Sequence, residues 1–245
     1  MRNAVLLLSI WLLAGCAARV NFNETAPGEF SGRLHVVWVG SGEDPGEDLS
    51  GDGRFIYIPE PSRELTFRRP DGVVIQPEPF YTDGGSVPRI ATVVPGLSPW
   101  GYGPAYIIHD WIFIAKNCLT DNDETELERA VEGMDFDDSV EIMAEAIQAL
   151  MQQDLVSAAR ADAAQIITDA VSTNISRRLW EQPGRCEEHR RVLDDPVLSS
   201  AYRAVPGLAR LSSDPGAVPG VLVSTIDFGS IAEARNAFQA SRTDR

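Results

Sequence analysis

Two short segments of the chain carry side chains that could do chemistry. His109 and Asp110 stand side by side in the otherwise apolar run "YIIHDWIFIA", and Asp83, Ser86 and Arg89 lie upstream in "FYTDGGSVPRI". Imidazole and carboxylate groups are the usual proton carriers of enzymes, and a carboxylate is a hard oxygen ligand for a cation such as calcium. These residue types predict either a hydrogen-bonded element that stabilises the fold or a catalytic or metal site.

Helical geometry limits how the histidine and the aspartate can cooperate. Adjacent helical residues point about 100° apart, so Asp110 cannot orient the imidazole of His109 as the acid of a catalytic triad does. We expect an acid of the following helix, Asp138 or Glu141, to lie against His109, with Asp83 as the neighbour of the other face. A neutral histidine held in this way can act as a general base, and Asp110 can ligate a metal.

The upstream segment admits two interpretations. Gly84 and Gly85 let backbone amides approach a neighbouring group closely, which suits a site built around Asp83. Aspartate and serine also cap turns, so Asp83 and Ser86 could have that role alone. Arg89 is a natural partner for a buried carboxylate.

Taken together, the two segments resemble a family of phage and bacterial proteins called domain of unknown function 1353. Its members have a strand that ends in "TDxASVPR" and a later helix with "HDxLY", and the resemblance covers roughly residues 64–182. Gly85 stands in place of alanine and Phe113 in place of tyrosine. The resemblance implies the domain but no reaction, because the family has no firmly established activity. The residues that fit its motifs are Thr82, Asp83, Ser86, Val87, Pro88, Arg89, His109 and Asp110.

The stretch "HDWIF" also resembles the "HDxxY" helix of secreted phospholipase A2 enzymes. In those enzymes the histidine activates water and the adjacent aspartate holds calcium. The resemblance implies a metal-assisted hydrolase with His109 as general base and a divalent cation such as calcium as cofactor. This chain lacks the disulfides and the usual calcium-loop pattern that surround that helix.

The N-terminus predicts export. Arg2 precedes an apolar run of about ten residues, which is too short to span a bilayer and is typical of a secretory signal. The ending "LAGC" resembles a bacterial lipobox, which implies a signal peptide over residues 1–15 and acylation of Cys16, for example with palmitate. Ala17 stands where lipoproteins of the inner membrane usually have aspartate. We therefore expect a lipid-anchored protein of the cell envelope that faces the periplasm, with the outer membrane favoured.

Charge and cysteine content narrow the function further. The net charge of −15 excludes nucleic acid as a partner, because nothing offsets phosphate repulsion. It also disfavours broad adhesion to anionic lipid heads. With Cys16 acylated, Cys118 and Cys186 remain, and an exported protein folds where they could form one disulfide. The sequence leaves open whether they meet.

Periodicity predicts an α+β fold, with an N-terminal antiparallel β part followed by a helical part. The segment at about 104–117 is apolar nearly all round, so we expect a central buried helix. A tether over residues 16–31 should precede an α+β domain at 32–182, and 183–245 should form a loop-rich C-terminal extension. Expected strands are 33–40, 54–59, 64–69, 73–81 and 220–228, and further helices lie within 137–156, 157–182 and 230–242.

These features predict a bacterial envelope lipoprotein with a structural or binding role at the periplasmic membrane face. Its partners would be the membrane, through the anchor, and an envelope protein or the cell wall. The alternative is a metal-assisted hydrolase of lipid or cell-wall substrates, with His109, Asp110, Asp83 and Ser86 as its catalytic residues.

Overall fold

The computed structural model describes residues 20–41, 53–82, 101–158, 161–194, 196–233 and 236. Cys16, Asp83, Ser86 and Arg89 lie outside these described residues, so the expectations placed on them stay predictions. Within the described part, no helix is both long and apolar enough to cross a membrane.

The strands form two antiparallel sheets, as the sequence predicted for the N-terminal part. The strands are β1 (Glu29–Ser31), β2 (Arg33–Ser41), β3 (Gly53–Pro59), β4 (Thr66–Arg68), β5 (Val74–Ile75), β6 (Phe80–Thr82) and β7 (Val221–Asp227). A four-stranded sheet has the order β6-β3-β2-β7, and a three-stranded sheet has the order β1-β4-β5. The predicted segment 73–81 is divided into two short strands around Pro77 and Pro79, because proline cannot donate to the ladder.

Six helices have bounds within the described residues, and the two longest form the centre of the helical part. The longest begins at Gly103 and has Pro104 in its first turn, where the N–H group that proline lacks would have no helical partner. Asn122 caps its C-terminal end in a left-handed conformation (φ 58°). The helices are α1 (Gly103–Asp121), α2 (Phe136–Gln152), α3 (Ala161–Val171), α4 (Asn174–Trp180), α5 (Cys186–Asp194) and α6 (Pro196–Ala204).

The two central strands of the four-stranded sheet, β2 and β3, are buried on both faces. One face contributes Leu34, Val36 and Tyr57 to the large core that includes α1 and α2. The other face contributes Val37, Ile56 and Ile58 to a second cluster with Ala201, Val205 and Leu208. Burial on both faces explains why β2 and β3 read as continuous apolar runs instead of alternating ones. The predicted α+β class and the buried central helix are both confirmed.

The C-terminal region differs from the loop-rich extension that we predicted. Residues 186–204 form two nine-residue helices, and β7 pairs with β2 from Arg33 opposite Asp227 to Trp38 opposite Val221. Helices of this length give too few turns for a clear periodic signal. The segment is nevertheless required, because α6 covers the second face of the sheet.

The predicted tether at 16–31 is also shorter than expected. Phe22 is buried at 1% exposure, its backbone N–H donates to Gln165, and its carbonyl accepts from Gln148. Gln165 donates in addition to the carbonyl of Val20. The chain is therefore packed on α2 and α3 from Val20 onward, because a single large aromatic side chain can fix an otherwise polar segment.

Candidate functional site

The two sequence segments meet where β6 ends beside α1. Thr82, the last residue of β6, is buried at 6% exposure, and its hydroxyl donates to the carboxyl of Asp110 over 3.1 Å. Asp83 follows Thr82 directly in the chain. The structure thus brings the start of the first motif to the aspartate of the second.

His109 lies on the neighbouring face of α1 and is 8% exposed. Its ring contacts Phe113 with 4.8 Å between centroids, and Phe113 meets Trp180 edge-on at 5.1 Å. Burial lowers the pKa of His109 from 6.5 to about 4, so the imidazole is neutral at pH 7. Its Nε2 has no hydrogen-bond partner among the described residues, and an unpaired buried polar atom costs about 1–3 kcal/mol.

The expected pairing of His109 with an acid of α2 is wrong. Glu141 accepts from Arg69 over 3.3 Å. Asp138 forms a capping box with Asp135 at the start of α2 and lies 3.9 Å from Arg69. An acid in the first turn of a helix is stabilised by the free N–H groups there. Glu141 and Glu145 follow Asp138 at helical spacing, so all three acids lie on the side of α2 that faces Arg69.

Arg69 is a residue that sequence reasoning missed. Its guanidinium donates to both carboxylate oxygens of Glu145, at 2.9 and 3.0 Å. Both side chains are buried, and Asp71 and Glu141 lie at 3.4 and 3.3 Å on the outer side. A lone arginine before the turn "PDG" carries no periodic signal, so only the fold shows that it enters the core.

Tyr106 precedes Asp110 by one helical turn and shares its face of α1. Burial, followed by the neighbouring Tyr102 and Asp110, raises the pKa of Tyr106 well above its usual range. The phenol therefore stays protonated at any physiological pH. Its hydroxyl has no hydrogen-bond partner in the described part of the chain, so it is a neutral donor available beside the carboxyl of Asp110.

The described residues contain no group of three or more His, Cys, Asp or Glu side chains that could hold a metal ion. Asp110 could contribute one carboxyl oxygen, but the other ligands would have to come from residues outside the described ranges. Calcium or another divalent cation therefore stays a prediction. A neutral His109 with a pKa of about 4 is only as strong a base as a carboxylate, which is weak for work at neutral pH.

The two remaining cysteines are joined. Cys118 in α1 and Cys186 at the start of α5 form a disulfide. Asp121 accepts hydrogen bonds from the backbone N–H groups of Gly184 and Cys186, so the same region is fixed by a carboxylate at the beginning of α5. Glu128 is fully buried and accepts two hydrogen bonds from Arg190, at 2.8 and 2.6 Å. The disulfide and these hydrogen bonds therefore hold α5 against α1 and the segment that follows α1.

Comparison with known proteins gives one match. Residues 62–170 match the model of a family described as "Protein of unknown function (DUF1353)". The matched range runs from the segment before β4 to the end of α3, and it contains Thr82, His109 and Asp110 as well as the Arg69–Glu145 pair. No curated protein and no solved structure matches the chain.

Proposed function

We propose that this chain, whose residues 62–170 match the model of the DUF1353 family, is a lipoprotein of the bacterial cell envelope. Its domain would have a binding or structural role on the periplasmic side of the membrane, with the outer membrane favoured. An envelope protein or the cell wall is the partner available at that location.

The observation that carries this proposal is the N-terminal "LAGC" with Cys16 at its end. Acyl chains on this cysteine would give a stable anchor, which a single chain does not provide. The described domain begins only four residues later, at Val20. A domain that follows the anchor so closely is held at the membrane surface, where it can bind a neighbour.

The chemistry of the motif residues favours binding over catalysis. His109 has a pKa of about 4 and contacts an aromatic side chain, and neither proposed acid of α2 reaches it. Neutral His109 and protonated Tyr106 can each make a hydrogen bond without transferring a proton. Buried polar groups of this kind recognise a polar ligand or fix a neighbouring segment.

The lipid anchor is tested by producing the full chain in a Gram-negative host with labelled palmitate. We expect label in the protein, recovery with outer-membrane vesicles, and loss of both in Cys16→Ser. An unlabelled protein in the soluble periplasmic fraction would exclude the lipoprotein assignment. The binding role is tested with the soluble Cys16→Ser form, which should be retained on purified cell-wall sacculi or cross-link to one envelope protein.

A metal-assisted hydrolase is the second candidate, and it is supported by Nε2 of His109, which has no hydrogen-bond partner among the residues that the structure describes. Catalytic groups are often left poorly satisfied in the resting protein. The test is to incubate the soluble form with phospholipid vesicles or sacculi, with calcium or with a chelator. Calcium-dependent products that disappear in both His109→Gln and Asp110→Asn would establish the hydrolase. Identical product levels in wild type and variants would exclude it.

A further inference from the structure

We infer that the outer face of α3 and α4 rests on the lipid surface to which the protein is anchored. This membrane face is defined by the exposed side chains of Ile166, Ile175, Arg178 and Leu179. The inference rests on the proposed acylation of Cys16 and adds an orientation: one particular side of the domain meets the bilayer.

The first argument is the length of chain between the anchor and the domain. Gln165 of α3 is bonded to the carbonyl of Val20 and to the N–H of Phe22. Val20 is only four positions after Cys16, and a fully extended chain spans at most about 14 Å over four such steps. The acylated cysteine therefore stays near α3, and Ile166 is the residue next to Gln165.

The second argument is the character of the exposed side chains. Ile166, Ile175 and Leu179 are 48%, 72% and 48% exposed, and the last two are one turn apart on the same side of α4. Single exposed apolar residues are ordinary, but Ile166 follows Gln165, which binds Val20, and Ile175 and Leu179 lie on the next helix of the chain. Apolar side chains of this kind insert into the boundary between headgroups and acyl chains.

The third argument is charge. The chain carries −15 overall, so most of its surface is repelled by anionic lipid headgroups. Between residues 163 and 180 the charged side chains at the surface are the exposed Arg178, Arg177 (37% exposed) and the half-buried Asp169, which accepts a hydrogen bond from Gln165. The exposed acids Asp162 and Glu181 lie just beyond the two ends. The remaining exposed residues of that segment are Ile166, Ala170, Thr173, Asn174, Ile175 and Leu179. This segment therefore brings two arginines and one half-buried acid to an anionic leaflet, in contrast to the acidic balance of the whole chain.

The orientation can be measured with a fluorophore on one added cysteine. In the acylated full chain Cys16 carries lipid and Cys118 is bonded to Cys186, so the added thiol is the only free one. Ile175→Cys and Ile166→Cys report on the membrane face. The matched control is Val218→Cys, an exposed apolar position (81%) beside α6, which packs on the other face of the four-stranded sheet.

The acylated variants are reconstituted into vesicles of phosphatidylethanolamine and phosphatidylglycerol (3:1) that contain a spin-labelled lipid as quencher. We expect quenching at positions 166 and 175 to be several-fold stronger than at 218. Introducing Ile175→Glu should reduce quenching at position 166, whereas Val218→Glu should leave it unchanged. Equal quenching at all three positions, or none at 175 in protein that floats with the vesicles, would overturn the orientation alone. Protein that gains no acyl mass and does not float would overturn the lipoprotein assignment and this inference together.

Discussion

The guanidinium of Arg69 donates two hydrogen bonds to the carboxylate of Glu145, and both side chains are almost fully buried. Arg69 directly follows β4, and Glu145 lies in the middle of α2. The pair therefore joins the β part of the domain to its helical part inside the core. Its surroundings are acidic on the outside, where Asp71 and Glu141 lie 3.4 and 3.3 Å from the guanidinium, so acids outnumber the single arginine there.

Removing one member of this pair should destabilise the protein strongly. Glu145→Ala leaves a buried guanidinium without its main partner, and breaking a buried pair in this way costs about 3–5 kcal/mol. Urea unfolding of the soluble Cys16→Ser form measures the loss. The control is Arg185→Ala, which removes the exposed pair with Glu188 and should cost less than about 1 kcal/mol. Equal losses in the two variants would contradict a structural role for Arg69. The double replacement Arg69→Met, Glu145→Leu should recover part of the loss, because no charge then remains buried.

The hydrogen bond between Thr82 and Asp110 should contribute measurably to stability. Thr82→Val keeps the shape of the side chain but leaves the carboxyl without this donor, which we expect to lower the unfolding free energy by about 1–2 kcal/mol. Thr82→Ser keeps the hydroxyl and is the matched control, with a smaller loss. If valine and serine behaved alike, the hydroxyl would not be what holds the end of β6 against α1.

The unfolding free energies of two His109 variants should show whether the imidazole contributes to stability through its volume or through a hydrogen bond. His109→Leu fills a similar volume and removes a buried nitrogen that no described residue bonds, so the unfolding free energy should stay the same or rise by about 1 kcal/mol. His109→Ala leaves a cavity beside Phe113 and should cost about 2–3 kcal/mol. A large loss in the leucine variant would mean that the imidazole makes a hydrogen bond needed for the fold, which would favour a purely structural role.

The disulfide should be a major source of stability. Cys118 and Cys186 close a loop of 68 residues, and the loss of chain entropy in the unfolded state predicts about 4 kcal/mol. The soluble Cys16→Ser form has only these two cysteines, so Cys118→Ser, Cys186→Ser against that background isolates the effect. A matching fall in unfolding free energy should follow when the parent protein is reduced. An unchanged unfolding free energy after reduction would show that the salt bridge of Glu128 with Arg190 suffices to hold α5.

Sequence patterns predicted the class of fold because the informative elements are long or strongly patterned. The β-branched run in β2 and the apolar run in α1 each have enough residues to show their burial. The start of α2 was predicted one residue late, at 137 instead of Phe136, and Asp138 was assigned to the site although it forms a capping box with Asp135. Nine-residue helices such as α5 and α6 gave no comparable signal, so their place in the fold had to come from the structure.

For the candidate site, the sequence indicated in which directions His109 and Asp110 point but not which residues they contact. Adjacent helical residues had to point in different directions, and His109 and Asp110 do so: one contacts Phe113 and the other contacts Thr82. The acids expected beside His109 bind Arg69 instead. Which acid meets which base depends on contacts between distant segments, here 72 residues apart for Glu141, and local sequence spacing does not encode such contacts.

The buried histidine should also make stability depend on pH in a defined direction. Burial lowers the pKa of His109 from 6.5 to about 4, so between these values the unfolded chain binds a proton that the folded protein does not. The unfolding free energy therefore has its full value above about pH 6.5. It falls by up to about 3 kcal/mol as the pH decreases toward 4. Urea unfolding of wild type and His109→Gln at intervals from pH 7.5 to 4 measures it, and the difference between the two unfolding free energies should shift by this amount in favour of the variant. Parallel curves would mean that the folded protein accepts the proton readily, and His109 would then be accessible enough to serve as a base.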